Sequence, residues 1–373
     1  MESLALLLIF PLVWPFIAKA IWKLEITAQE IGINVLVGVV VVMLGWFGGQ
    51  YAQTMDREII NGEIIRKESH RVSCEHSYSC NCKETCSTRA DGTRSCSQSC
   101  DTCYDHSYDV NHTLYSNVGD IDIDRVDRQG VITPPRFSKA AIGDPVAQSQ
   151  RYTNYVKGAP NSLFNALAEQ KAFEKYKGSI PEYPIQIVDY HYANRVLAVA
   201  GAVVPDADLW NKQLALALRK LGPAKEANAV VVFTGNADPA YALALRSAWL
   251  GSKKNDIVLV IGTPVYPAIA WARVISWTDN QLFKVELSDA IQELQTATPE
   301  AVLGLLSEHT FKSYQRKHMK EFEYLKWEIE PPVWLMWCLF IGSILVSVGT
   351  SWAMSRNSIR VYSGGRQFSF RGR

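Results

Sequence analysis

The sequence predicts an α/β domain that carries a disulfide-rich β-ribbon and is anchored by three transmembrane helices. Three observations predict this architecture. Three long apolar segments bracket one polar middle, seven of the eight cysteines lie within residues 74–103, and helical and strand patterns alternate from residue 161 onward. Residues 51–330 are long enough for one or two domains with cores of their own.

The apolar segments predict the membrane helices. They are residues 4–22, 31–47 and 333–354, and the last two contain no charged residue. A helix needs about 20 apolar residues to cross a hydrocarbon core about 30 Å thick. The first segment contains Pro11 and Pro15, so a cleaved signal peptide is its alternative. Glu2 in place of a basic start, and the lack of a small-residue cleavage pattern, favour a retained membrane helix or a re-entrant one.

Basic residues predict the orientation. The tail 356–373 contains five arginines and no acidic residue, so the positive-inside rule places the C-terminus in the cytoplasm. Residues 51–330 then form a large extracytoplasmic region, periplasmic or luminal. The net charge of +1 gives no reason to expect a nucleic-acid partner.

The cysteine spacing predicts a ribbon stapled by disulfides. A fold-back at residues 90–92, with Gly92 in a left-handed conformation, makes the two inner pairs face each other on one side of the ribbon. The outer pair is offset by one residue, which a bulge absorbs. The predicted pairs are Cys80 with Cys103, Cys82 with Cys100, and Cys86 with Cys96. Cys74 is left over and is a candidate for an intermolecular bond.

A zinc site is the alternative for the same cysteines. The C-x3-C pattern at 82–86 and the C-x2-C pattern at 100–103 resemble paired ligand knuckles, and His76 and His106 lie nearby. A reducing compartment favours zinc, whereas an extracytoplasmic one favours disulfides. We therefore expect no cofactor, with zinc at the cysteine block as the alternative.

Residues 161–330 predict an α/β sandwich with a mixed sheet. Helical patterns cover 162–176, 206–221, 238–250, 288–295 and a long stretch from 298 to about 327. Strand patterns cover 185–188, 195–203, 229–234 and 256–262. Such alternation is typical of α/β domains. By contrast, residues 114–160 are rich in turn formers and are predicted to be a linker with some strand pairing.

Residues 230–262, VVVFTGNADPAYALALRSAWLGSKKNDIVLVIG, resemble the core of the TPM domain. Members of that family read strand, short loop, Tyr-Ala-x2-Leu on a helix, Trp-x-Gly, and an Asn-Gly-like turn into a strand rich in Val and Leu. The matching residues here are Tyr241, Ala242, Leu245, Trp249, Gly251 and Asn255. With its flanking helices the resemblance covers about residues 200–310.

The resemblance implies an extracytoplasmic α/β module that is tethered by a membrane helix and acts in the assembly or maintenance of membrane complexes. Some members are reported to have acid phosphatase activity. This chain departs from the pattern at Asp256, where the family commonly has glycine. It also departs at 270–279, which replace a glycine-rich element after the second strand. Both departures weaken the phosphatase inference.

These observations divide the chain into six parts. They are two N-terminal membrane helices (1–50), the cysteine-rich ribbon (51–113), the linker (114–160), the TPM-like domain (161–330), the third membrane helix (331–355) and a basic cytoplasmic tail (356–373). In the third membrane helix, Ser343, Ser347 and Ser351 form a stripe of small residues. Such a stripe serves packing on the second helix or self-association into a homo-oligomer.

A hydrolytic site would need convergent carboxylates or a metal ion. The candidates are Asp238, Asp256 and Asp279, with Asn255 in the loop before a buried strand. Each is interpreted as a helix cap or turn residue, and we expect no catalytic residue. The sequence favours a non-catalytic interaction or assembly protein with a protein partner in the membrane or envelope. The alternative is a phosphatase or related hydrolase that uses a divalent metal in the TPM-like domain.

Overall fold

The computed structural model describes residues 2–22, 28–88, 92, 94–159, 171–187 and 194–355. Within them, the helices are α1 (Glu2–Trp22), α2 (Ala28–Thr54), α3 (Pro135–Lys139), α4 (Tyr155–Gly158), α5 (Ala207–Lys225), α6 (Ala240–Ala248), α7 (Gln281–Glu293), α8 (Pro299–Ser313) and α9 (Val333–Ser355). Segments Lys171–Ser179 and Met319–Glu328 are 3₁₀-helical. The strands are β1 (Met55–Val72), β2 (Ser77–Thr88), β3 (Arg94–Tyr104), β4 (Asp109–Ser116), β5 (Ile121–Ile123), β6 (Pro145–Thr153), β7 (Val196–Val199), β8 (Asn228–Thr234), β9 (Asp256–Gly262) and β10 (Trp271–Ser276).

The first sheet is antiparallel, in the order β5-β4-β1-β6. Its long strand β1 has 18 residues and follows α2 without a connecting loop. The half of β1 next to α2 pairs with β6, from Met55 opposite Thr153 to Glu63 opposite Pro145. The distal half pairs with β4, ending with Val72 opposite Asp109.

Residues 114–160, predicted to be a linker with some strand pairing, contain the end of β4 and all of β5 and β6 of this sheet. Its small core contains Ile64, Leu114, Ile123 and Val146. The turn formers that suggested a linker close the connections between short strands, and the apolar residues between them are buried against β1. The ribbon is also shorter than the predicted 51–113, because β1 and β4 belong to this sheet and only β2 and β3 extend beyond it.

The second sheet confirms the predicted mixed α/β fold. Its order is β10-β9-β8-β7, with β7, β8 and β9 parallel and β10 antiparallel. Every residue of β8 and β9 is buried, as expected for strands covered by helices on both faces. Alternate residues serve the two faces: Val231 and Phe233 face the cluster with α5, α7 and α8, whereas Val230 and Val232 face the cluster with α6.

The predicted long helix from 298 to about 327 is wrong, because α8 ends at Ser313. Beyond it, Tyr314 is buried and Arg316 forms an isolated bridge with Thr278. The chain leaves the helix because Arg316 reaches a buried carboxylate on β1. The predicted helix 162–176 lies largely outside the described residues, and its described end is 3₁₀-helical. The predicted strand 185–188 lies partly outside them, and residues 185–187 are not in a strand.

Three helices are long and apolar enough to span a membrane: Ser3–Ile21, Gln29–Thr54 and Val333–Met354. They form the helices α1, α2 and α9, which pack against one another around Leu7, Val42 and Leu339. The serine stripe of α9, formed by Ser343, Ser347 and Ser351, is buried. The stripe packs on α2, where the Asn34 side-chain amide donates to the Ser347 carbonyl at 3.1 Å and to Ser351 Oγ at 2.8 Å.

Candidate functional site

The ribbon is a two-stranded antiparallel extension of the β1–β4 hairpin. β2 and β3 pair from Thr88 opposite Arg94, next to the turn, to Ser77 opposite Tyr104. Within this ladder Cys86 lies opposite Cys96. A bulge lies between Cys80 and Lys83. Within it, Asn81 adopts a left-handed conformation with φ of 48°, which asparagine tolerates better than most residues. The bulge shifts the pairing register between the part of the ribbon next to the turn and the part next to β1 and β4.

Three disulfides join the arms of the ribbon. They are Cys80–Cys103, Cys82–Cys100 and Cys86–Cys96, the same pairs that the fold-back predicts. The Cys80–Cys103 bond is diagonal, because Cys80 lies opposite Asp101 and Cys103 lies opposite Tyr78. Its Cα–Cα distance is 5.8 Å, against 3.9 Å for the innermost bond. The four cysteines of the zinc alternative are all members of these three pairs.

Almost every side chain of the ribbon is exposed to solvent. Residues 77–104 contain three basic and three acidic residues, so their net charge is zero. Tyr78 and Tyr104 are about half exposed, at 52% and 55%, and neighbouring positions place them on opposite faces of the ribbon. Tyrosine is enriched at the centres of protein interfaces. The ribbon also leaves the outer edges of both strands free to pair with another chain.

Cys74 lies at the base of the ribbon and is one of two free cysteines, with Cys338. It is only 6% exposed, so the predicted intermolecular bond through Cys74 has no accessible thiol to start from. Beside it, Asp109 is fully buried and accepts from the Glu75 N–H at 3.0 Å and from Arg125 Nη1 at 2.9 Å. These two donors lower the pKa of Asp109 although burial opposes them.

A dense polar interface joins β1 to the loop before β9. Lys253 Nζ lies 2.6 Å from Asp56 Oδ1, and Tyr152 and Asn154 donate to Asp56 Oδ2 at 3.0 and 2.9 Å. Burial raises the pKa of Asp56, but the charge of Lys253 and the hydrogen bonds outweigh it, so the pKa is lowered. Asn255 completes the contact by donating from its side chain to the Ile59 carbonyl at 2.7 Å.

The next acidic residue of β1 holds two cations. Glu58 is 1% exposed and pairs with Lys254 at 3.1 Å and with Arg316 at 2.9 Å. Arg316 also pairs with Glu226 on the far side. Lys253 and Lys254 are therefore both ion-paired with buried carboxylates of β1.

Asp256 is buried at the start of β9 and its acceptor capacity is used internally. It accepts hydrogen bonds from Ser252 Oγ, from the Lys253 N–H at 2.9 Å, from Asn228 at 2.8 Å and from the Tyr183 hydroxyl at 3.1 Å. Burial raises the pKa of Asp256 in spite of these bonds. Its environment locks the loop to the strand and presents no open carboxylate.

Neither Asp238 nor Asp279 shares a site with Asp256. Asp238 follows the C-terminal end of β8, whereas Asp256 begins the neighbouring parallel strand β9. The two residues therefore lie at opposite ends of the parallel strands. Asp238 binds Tyr176 and Lys175 and accepts from the Ala240 N–H at 2.9 Å at the start of α6. Asp279 pairs with Lys317 at 2.7 Å. The three carboxylates therefore do not converge on one site among the described residues.

The residues that carry the TPM resemblance hold the second sheet to its surroundings. The Tyr241 hydroxyl donates to the Ser179 carbonyl, and Trp249 Nε1 donates to the Pro181 carbonyl, both at 2.9 Å. Leu245 is fully buried, and Gly251 has a positive φ of 79° that favours glycine. Each has a structural role, and none of these contacts forms a reactive group.

Sequence reasoning missed the acidic residues of β1 and their partner Arg316. The only signal was that Asp56 and Glu58 lie two positions apart and therefore share one face of the strand, but nothing in the surrounding sequence marks that face as buried. Lys253, Lys254 and Arg316 are about 200 residues or more away in sequence, as the separation of 197 between Asp56 and Lys253 illustrates. Such pairing across the chain cannot be deduced from spacing.

Comparisons of the chain with models of protein families, with curated proteins and with solved structures find no match.

Proposed function

We propose that this protein is an integral membrane protein that holds a TPM-like module outside the cytoplasm and uses the disulfide-stapled ribbon to bind another protein of the membrane or envelope. The observation that carries the proposal is the ribbon itself. Three disulfides stabilise a structure whose side chains are almost all exposed, so the bonds maintain a surface and not a core. A preorganised exposed surface is what a binding element needs.

The helices support an anchored domain on one side of a membrane. The exterior domain begins directly after α2, at Met55, and returns to the membrane at α9. The two connections are adjacent, because Gln50 Nε2 near the end of α2 donates to the Ile329 carbonyl at 2.7 Å. With the arginine-rich tail beyond the other end of α9, this arrangement favours an extracytoplasmic domain and a cytoplasmic C-terminus. Disulfides favour the same compartment.

The TPM-like character of the second sheet supports a role in assembly or maintenance of a membrane complex. The six matching residues fix the sheet, its helix α6 and the loop that docks on β1. The same loop therefore connects the module, through β1, to both the membrane helix α2 and the ribbon. A partner bound at the ribbon would thus be held at a fixed position relative to the membrane.

Photocrosslinking in native membranes tests the binding role. A photoreactive phenylalanine analogue replaces Tyr78 or Tyr104 in the ribbon, and Tyr324 provides the matched control because it is also exposed, at 67%, but lies near α9. We expect an adduct of one discrete mass from both ribbon positions, which mild reduction of the disulfides abolishes. The proposal fails if the ribbon positions give no adduct, or if Tyr324 gives the same one.

Thiol labelling tests the orientation. A cysteine introduced at Ser363 in the tail should react with a membrane-impermeant maleimide only after permeabilisation, whereas one at Ser138 in α3 should react in intact cells or vesicles. Both are placed in a Cys338→Ser background, because Cys338 is exposed. Labelling at Ser363 without permeabilisation would overturn the proposed topology.

A further inference from the structure

We propose that the base of the ribbon is a zinc site whose ligands are the Cys74 thiolate, the His76 imidazole and the Asp109 carboxylate. Their ligand atoms all lie within 4.8 Å of one another. Cys74 and Asp109 are buried and His76 is partly buried. A thiolate, an imidazole and a carboxylate together form a donor set that suits zinc. These residues differ from the disulfide-bonded cysteines of the ribbon.

The distances fit a tetrahedral ion. Cys74 Sγ lies 3.9 Å from His76 Nδ1, and His76 Nδ1 lies 3.7 Å from Asp109 Oδ2. With zinc bonds of about 2.0–2.3 Å, neighbouring ligand atoms of a tetrahedral site are about 3.3–3.6 Å apart. For these two pairs, side-chain movements of a few tenths of an ångström, on the order of ordinary thermal displacement, close the difference. The Cys74 and Asp109 ligand atoms lie within 4.8 Å of each other.

Unpartnered buried atoms give independent support. Asp109 is 0% exposed, and its Oδ1 has no hydrogen-bond donor among the described residues. His106 Nε2 is also buried without a partner in that part of the chain, and its ring centroid lies 6.1 Å from that of His76. Buried polar atoms are normally satisfied, so a carboxylate oxygen and an imidazole nitrogen left over beside a thiol indicate a cation. His106, whose ring lies edge-on beside that of His76, is the candidate for a fourth ligand.

The surroundings hold the ligands in place. The His76 N–H donates to Cys74 Sγ at 3.4 Å. Asp109 Oδ2 is fixed by the Glu75 N–H and by Arg125, whose Nε is held by Asn111 Oδ1 at 2.9 Å. Such outer contacts orient metal ligands. The charges also balance, because the thiolate, Asp109 and Glu75 offset the zinc ion and Arg125, and Glu75 lies 3.5 Å from Arg125.

The site lies where the hairpin is interrupted. Cys74 and His76 belong to the connection between β1 and β2, and Asp109 begins β4 on the other arm. A zinc ion there would join the two arms between the Cys80–Cys103 disulfide and the first sheet, and would act as a fourth crosslink. It would also keep Cys74 as a protected thiolate in a chain whose other extracytoplasmic cysteines are oxidised.

Metal binding to the full chain in detergent tests the proposal. The protein is stripped with a chelator without reductant, titrated with zinc, and analysed by elemental analysis, and cobalt is substituted to reveal a thiolate charge-transfer band. We expect one zinc per chain and a cobalt–thiolate band for the native protein and for the matched control Cys338→Ser. Cys74→Ser should lose the band and most of the affinity, and Asp109→Asn and His106→Ala should weaken binding by about tenfold or more.

Alkylation of the native protein decides the question even if a variant fails to fold. Because Cys74 is buried, the maleimide is applied in mild denaturant, where local opening exposes the thiol. Bound zinc should slow the modification of Cys74, with Cys338 as the internal reference, and chelation should restore the faster rate. Equal reactivity of Cys74 with and without zinc, together with no cobalt–thiolate band, would overturn the site. Unchanged zinc binding by a folded Cys74→Ser variant, shown by its three intact disulfides, would do the same.

Discussion

The two halves of one long hairpin are stabilised in different ways. The half that adjoins α2, formed by β1 with β6 and β4, contacts the second sheet through buried ions and amides. The outer half, β2 with β3, has almost no buried side chain and is held by three disulfides. The backbone pairing is antiparallel in both halves, so pairing alone does not account for the difference.

The difference follows from what surrounds each half. Next to α2, neighbouring elements exclude water from β1, so its acidic residues need counter-ions and hydrogen bonds. Beyond Val72 no described element covers the hairpin, and an isolated two-stranded ribbon is marginal in water. Covalent bonds replace the missing contacts there. The comparison predicts that the inner half depends on specific charges and the outer half on its cysteines.

The largest effect is expected for Glu58→Ala. The variant leaves Lys254 and Arg316 buried beside an uncharged side chain, and breaking a buried pair in this way costs about 3–5 kcal/mol. Glu68→Ala is the matched control on the same strand, because Glu68 and its partner Arg66 are both about half exposed, and such pairs contribute about 0–1 kcal/mol. Thermal unfolding of the full chain in detergent measures both, and equal shifts in midpoint would break the comparison.

The ribbon should respond to loss of a disulfide without affecting the domain below it. Removing Cys82–Cys100, which closes a sequence separation of 18 residues, by replacing both cysteines with serine should lower the local stability by up to about 3 kcal/mol. Trypsin should then cut after Lys83 or Arg94 faster, while the main unfolding midpoint stays within error. Cys338→Ser controls for the substitution. A large drop in the main midpoint would show that the ribbon supports the domain.

A close approach of β1 and α5 predicts an intermediate effect. A Cβ added at Gly222 would lie 2.1 Å from the Asn61 carbonyl oxygen of β1, so Gly222→Ala must push the helix away and should cost about 1–3 kcal/mol. Gly304→Ala on α8 meets nothing within 4 Å and should stabilise by about 0.5–1 kcal/mol. Thermal unfolding of both variants sharpens the comparison, and shifts of the same sign would contradict it.

The predictable parts of the molecule are those with local periodicity. Cysteine spacing alone predicts the three pairs, because a hairpin fixes which residues face each other. Apolar length predicts the spanning helices, and the buried strands β8 and β9 follow from continuous apolar runs. The interface of Asp56 and Glu58 could not be predicted, since it joins residues far apart in sequence. The strand β6 was missed because its sequence, PVAQSQRYT, does not alternate between apolar and polar residues.

Asp238 provides the smallest and most pH-dependent test, on the surface of the second sheet and far from the buried charges of β1. The Tyr176 hydroxyl, the Ala240 N–H and Lys175 lower the pKa of Asp238 from 3.8 to about 2, although burial opposes them. Because the folded pKa is below the unfolded one, the carboxylate stabilises the fold above about pH 4 and loses this effect as pH falls through about 2.

Asp238→Asn should therefore lower the unfolding midpoint slightly at pH 7, and the difference from the native protein should shrink below pH 4 and vanish near pH 2. Asp124→Asn is the control, because the Asp124 side chain is 97% exposed, and it should leave the midpoint unchanged. A difference for Asp238→Asn that persists at pH 2 would mean that this contact depends on the shape of the side chain. The surface of the module would then be held by packing, as its interior is, and only β1 would depend on charge.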